Sequence, residues 1–278
     1  MPARPQSIPR RLYRYARDRR TAREEGGFVP RLRVDEGAPE LILSPHFDDA
    51  VLDCWGVIAG HGAVEVVNVF AAAPDPGTVT LWDSITGAAD SAERVAERVA
   101  EDAAALGVAN RTPHNLTFLD SQYRRPPAPT LARIDEQVSA AVPAASRIYA
   151  PAGIGSHPDH KLARRYARQL LRAGMPVALY AELPYCVQHG WPTWVDGRPA
   201  DEHRDVDPFW RSFLEDVPEL GDLRAAEVVR LDDALAASKL EAMHSYRTQF
   251  SSLSYGARGL LDDPEIYRYE VRWQLARP

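Results

Sequence analysis

The chain has 278 residues, 45% of them hydrophobic and 26% charged, with a net charge of −6. That length and composition describe a folded protein with a sizeable core. The acidic balance gives no general case for nucleic-acid binding, and no apolar run approaches the roughly 20 residues of a membrane span. Two cysteines, Cys54 and Cys186, are too few for a secreted disulfide scaffold and point to a reducing cytoplasm.

Residues 1–33 carry ten arginines against Asp18, Glu24 and Glu25. This reads as an Arg-rich arm, 1–38, ahead of a domain at 39–278. A solvated or partly helical arm packing on its own domain is the simpler reading; an arm that binds phosphate or an acidic partner is the other.

Leu41-Ile42-Leu43 reads as the first buried strand and Val64 to Phe70, rich in β-branched residues, as the second. A loop from Ala73 to Gly87 follows. Asp90 and Glu93 have the spacing of a capping box that opens a helix, stopped at Gly107. Asn115 to Leu119 predicts a third strand. Pro126-Pro127-Ala128-Pro129 breaks the chain before a helix near 130–141. Arg147 to Ala150 predicts a fourth strand, 159–173 a helix and Val177 to Tyr180 a fifth strand. Alternating strands and helices give an α/β fold, a mostly parallel sheet with helices on both faces and a site at the carboxyl ends of the strands.

Residues 187–224 differ. Trp191, Trp194 and Trp210 occur without clear periodicity, and from Asp196 to Asp233 twelve acids face five arginines. This segment reads either as a lid or substrate-facing insertion, holding an apolar or glycosylated part of a ligand, or as a plain surface excursion.

Two clusters carry the chemistry. Ser44-Pro45-His46-Phe47-Asp48-Asp49 ends the first strand, and Ser156-His157-Pro158-Asp159-His160 follows the fourth. His46, Asp49 and His160 supply a two-histidine, one-carboxylate face for one metal, with room for water. The same face suits Zn2+ or Fe2+. Asp48 is then free to act as general base beside the ion. His157, one helical turn from His160, can steady an oxyanion and protonate a leaving amine, with Asp159 holding it in its charged form. The plainer reading is that Asp48, Asp49 and His157 cap helices, with Pro158 in a first turn.

These residues resemble the PIG-L/LmbE-like family of zinc-dependent N-deacetylases. His46-Phe47-Asp48-Asp49 matches its first motif and His157-Pro158-Asp159-His160 its second. Asp120 to Arg124, Tyr180 to Tyr185 and Lys239 to Gln249 look like further family segments. The resemblance implies a Rossmann-like fold, zinc on His46, Asp49 and His160, Asp48 as base, and His157 as acid or oxyanion partner. Some relatives carry a Tyr where this chain has Gly155, and a sugar-contacting Arg without an evident match near Ala71–Ala73. The expectation is a cytoplasmic deacetylase of an N-acetylglucosamine-type conjugate in specialised-metabolite or glycoconjugate biosynthesis. Another amide, such as a thiol conjugate, is the nearest alternative; a phosphoesterase or a non-catalytic metal-binding homologue is more distant.

Overall fold

The computed structural model describes residues 26–60, 62–198, 205–250 and 262–277. Residues 1–25, which hold most of the Arg-rich arm, lie outside the described residues. The chain opens with β1 (Arg33–Val34) and β2 (Glu40–Ser44), then two short helices, α1 (Asp49–Asp53) and α2 (Trp55–Ile58), and β3 (Val64–Asn68). Next come α3 (Leu81–Ile85), α4 (Ser91–Gly107), β4 (Pro113–Asn115) and α5 (Leu131–Ala141). After β5 (Ala144–Ala145) and β6 (Arg147–Pro151), α6 (Pro158–Arg172) leads to β7 (Val177–Tyr180). The rest comprises α7 (Thr193–Asp196), α8 (Val206–Leu214), β8 (Glu227–Arg230), α9 (Asp233–Met243) and β9 (Tyr269–Gln274).

Seven strands form the main sheet in the order β4-β3-β2-β6-β7-β9-β8. The first five are parallel; β9 runs antiparallel to both β7 and β8. The chain winds outward from β2 in one direction and from β6 in the other. Right-handed crossovers therefore put α4 on one face and α6 on the opposite one. β2 and β6 are neighbours at the point of reversal, where a crevice opens beyond their carboxyl ends. Both histidine motifs begin there.

The helices form for local reasons. Asp90 caps α4 by accepting from the backbone N–H of Ala92 and Glu93, as its spacing predicts. Thr130 caps α5 through the N–H of Arg133. The predicted third strand is shifted: β4 covers Pro113–Asn115, and Thr117 and Leu119 make only isolated bridges to Phe70 and Ala72.

The tryptophans of 187–224 turn inward. Trp191 and Trp210 are buried, Trp210 packs edge-on against Trp191, Trp194 and Trp273, and its indole N–H donates to the carbonyl of Cys186. They anchor α7 and α8 to β9, which answers the expectation of a substrate-facing aromatic segment: these rings are core.

Candidate metal centre

The turn after β2 is built by short polar bonds. Ser44 Oγ donates to the carbonyl of His46 and accepts from the N–H of Ala50, and Asp49 Oδ2 accepts from the N–H of His46 at 2.8 Å. Asp48 sits at the N-cap of α1, but its side chain makes no capping bond. His157 does cap α6, with Pro158 in the first turn; its Nδ1 accepts from the N–H of Asp159 at 3.4 Å. That bond leaves the proton of a neutral His157 ring on Nε2.

Three atoms from the two motifs converge. His46 Nδ1 lies 3.4 Å from Asp49 Oδ2 and 3.3 Å from His160 Nε2, and His160 Nε2 lies 3.4 Å from Asp49 Oδ2. A tetrahedral ion with bonds of about 2.1 Å needs donor atoms about 3.4 Å apart. The triangle has that edge on all three sides, so the residues fit one divalent metal. His157 also brings a nitrogen within 4.8 Å of those of His46 and His160.

The far nitrogen of each histidine faces a carboxylate, the arrangement that fixes a metal-binding tautomer. His160 Nδ1 lies 3.2 Å from Glu182 Oε1. Glu182, wholly buried, also accepts from the N–H groups of Gly153 and Ile154, so it ties the loop after β6 to the segment after β7. His46 Nε2 lies 3.4 Å from Asp159 Oδ2 and 3.7 Å from Asp120 Oδ2. Asp159 is further held by Arg124 and by the N–H of Ser121. Its carboxylate bonds to Arg124, Ser121 and His46, while toward His157 it acts through its charge, which favours the protonated ring. Those partners, His46 foremost after an opposing burial cost, hold the Asp159 carboxyl below its ordinary range.

The electrostatics sort the remaining groups. Burial opposes a charge on His46, but Asp120, Asp159 and Asp49 outweigh it and hold its pKa well above the ordinary value. Burial likewise opposes ionisation of Asp49, and His160 and His46 override it, keeping its pKa low. Burial and then the charge of Asp49 push Asp48 up to about 6. Burial, with His46 and His160 beside it, pushes His157 down to about 4. That shift favours the neutral ring, and positive charge on His46 and His160 is part of its cause. Asp120 and Asp159 also lie near His46 and His157 as a second cluster. Arg124 already neutralises Asp159 there, and His46 would need both ring nitrogens for two ions.

The cleft over this centre encloses about 350 Å³. It is lined by His46, Asp48, Asp49, His157 and Tyr185 of the centre, together with Arg98, Gln122, Tyr123, Trp82 and Gln249. None of the described residues of 187–224 lines it. Gly155 has φ +84°, and a Cβ there would lie 2.6 Å from Tyr185 Cδ1; the missing side chain makes room for the Tyr185 ring, which packs edge-on against His160. Arg98, in the middle of α4, had no motif to mark it as a cleft residue.

A Rossmann-like sheet thus places a two-histidine, one-carboxylate donor set that fits one divalent metal at its switch point. Residues 41–171 match the family described as PIG-L: GlcNAc-PI de-N-acetylase. That match holds both histidine motifs, and the chain is similar to this family of hydrolytic N-deacetylases. No curated protein sequence matches it significantly. Among solved structures, a triple mutant of a deacetylase of the teicoplanin biosynthetic pathway is 26% identical, with a TM-score of 0.66, over 86% of this chain and 98% of that one. The A40926 pseudoaglycone deacetylase is 24% identical, TM-score 0.62, over 87% and 98%. The zinc-inhibited form of teicoplanin deacetylase is 24% identical, TM-score 0.63, over 86% and 98%.

Proposed function

We propose that this protein is a zinc-dependent N-deacetylase acting on the acetamide of an N-acetylglucosamine-type conjugate in specialised-metabolite or glycoconjugate biosynthesis. The observation that carries this reading is the equal-sided donor triangle of His46, Asp49 and His160 with Asp48, a carboxylate outside the triangle, next to it in the cleft. The match to the GlcNAc-PI de-N-acetylase family and the likeness to a deacetylase of the teicoplanin pathway support the amino-sugar substrate. Fe2+ fits the same donors.

A metal held by these three residues supplies Lewis acidity at the substrate carbonyl and makes water a better nucleophile. Asp48, pushed up to about 6, takes the proton of the attacking water as general base. His157, neutral and with its proton on Nε2, donates a hydrogen bond to the carbonyl oxygen as charge builds there. The C–N bond then breaks, Asp48 returns the proton to the leaving nitrogen, and acetate and a free amine result. The cleft is walled by Phe47, Phe70 and Val95, which keeps bulk water off the reacting carbon.

Acetate release from N-acetylglucosamine conjugates, measured beside metal content, tests the reading. Asp48→Asn is expected to keep its metal and lose about a hundredfold or more in turnover. His160→Ala is expected to lose the metal as well. A well-folded wild type that takes up no zinc or iron, or an Asp48→Asn variant with normal turnover, would overturn it.

A further inference from the structure

The two histidine motifs meet at the metal donors, and the fold also joins them underneath. α1 carries Asp49 at its first position and Asp53 at its last. Four residues apart on a helix, the two side chains are neighbours on one face. Asp53 is 2% exposed, and its Oδ1 accepts from the backbone N–H of Leu183 at 2.8 Å. Leu183 follows Glu182, whose carboxylate faces His160 Nδ1 and accepts from the N–H groups of Gly153 and Ile154. The helix that presents one metal donor therefore grips the segment that orients another.

The grip has no substitute nearby. Of the two residues after Glu182, Leu183 donates to Asp53 and Pro184 has no N–H to donate. Leu183 is buried, so without Asp53 its N–H is left without an acceptor and cut off from solvent. Position 53 is otherwise an unfavourable place for an acid. Asp53 Oδ2 is buried without a hydrogen-bond partner, and the side chain's one hydrogen bond among the described residues is the one to Leu183. Burial foremost, with Asp49 and Glu182 adding to it against the Leu183 N–H and Lys239, pushes the Asp53 carboxyl well above its ordinary value. Asparagine is then its near copy in shape and charge.

We propose that Asp53 is a positioning residue of the metal centre: by holding the Leu183 N–H it fixes Glu182, and through Glu182 the ring of His160, against the helix that carries Asp49. This rests on the metal-binding part of the reading above and is independent of the substrate.

Two measurements on the full-length protein test it. In the first, chelator competition reads zinc affinity in wild type, Asp53→Ala, Asp53→Asn and Val138→Ala. Alanine removes the acceptor and asparagine keeps it. Val138 is buried on α5 and is no part of the centre, so its truncation opens a cavity and lowers stability alone. Asp53→Ala should weaken zinc binding about tenfold or more, while Asp53→Asn and Val138→Ala stay near wild type. Should the alanine variant not fold, Asp53→Leu, of similar volume and without an acceptor, takes its place. The second measurement needs no metal. In NMR of the metal-free protein with nitrogen-labelled histidine, the ring N–H that His160 turns to Glu182 is buried and slow to exchange, and is assigned by its loss in His160→Gln. It should persist in Asp53→Asn and broaden or vanish in Asp53→Ala. Unchanged zinc affinity in Asp53→Ala, an equal loss in Asp53→Asn or Val138→Ala, or a His160 signal indifferent to Asp53→Ala overturns the proposal. A wild type that takes up no zinc counts against the proposed function, and the His160 signal then decides the role of Asp53 by itself.

Discussion

Asp102 offers a quantitative test of the network beneath the first motif. It is buried on α4, where its Oδ2 accepts from Asn68 Nδ2 at 2.6 Å and its Oδ1 lies 2.7 Å from the Tyr246 hydroxyl. The same hydroxyl lies 3.0 Å from the carbonyl of Phe47. Tyr246 has one proton for two acceptors. A protonated Asp102 resolves this: it donates to Tyr246, and Tyr246 donates to Phe47. Burial, with Asp48 adding to it against the two hydrogen bonds, pushes Asp102 from 3.8 up to about 7. The folded state therefore binds a proton that the unfolded chain has lost, and stability falls as pH rises from about 4 to about 7, then levels. About three pH units correspond to about 4 kcal/mol. Asp102→Asn imitates the protonated acid, donating to Tyr246 and accepting from Asn68, and does not titrate. Urea unfolding of both proteins from pH 4 to pH 8 should show the variant's stability rising relative to wild type by up to about 4 kcal/mol across that range. A difference that stays flat with pH would refute the argument.

Two further outcomes follow from the site. Glu182→Ala leaves His160 Nδ1 and two backbone N–H groups without their acceptor, and zinc affinity in a chelator competition should fall about 10- to 100-fold; unchanged affinity would remove Glu182 as the group that orients His160. Gly155→Ala drives a Cβ into the Tyr185 ring at a positive φ, so it should cost on the order of 1–3 kcal/mol in thermal unfolding and lower turnover, whereas an unaltered Tm would mean the ring is free to move.

The chemistry was legible because it is local. His46 and Asp49 share one turn, His157 and His160 one helix start, and each follows a strand that its own hydrophobic run reveals. The strands β2, β3, β6 and β7 were readable for the same reason. What the sequence hid depends on distant partners. The antiparallel β8 and β9 carry no local signature of their pairing. Asp159 adjoins two histidines in sequence, yet the fold brings Arg124 to it and turns it to His46. Glu182, in a buried strand-end segment, shows no spacing relation to His160. The tryptophans of 187–224 looked like ligand platforms because aromatic residues serve cores and sites equally well; Trp273, on a strand not foreseen, decides for the core.

The position of the donor triangle also bears on when it can form. His46 and Asp49 follow β2, His160 follows β6, and these strands pair in parallel with β3, α3, α4, β4 and α5 threaded between them in sequence. Neither half of the chain holds the full set. Such a pairing closes a long loop before its contacts reward it, a slow kind of step in folding. A zinc finger gathers its ligands within a few turns and is folded by its metal. Here the sheet must be assembled first, so metal capture marks the end of folding rather than its start, and a chain stalled before β6 docks offers an ion only two of the three donors.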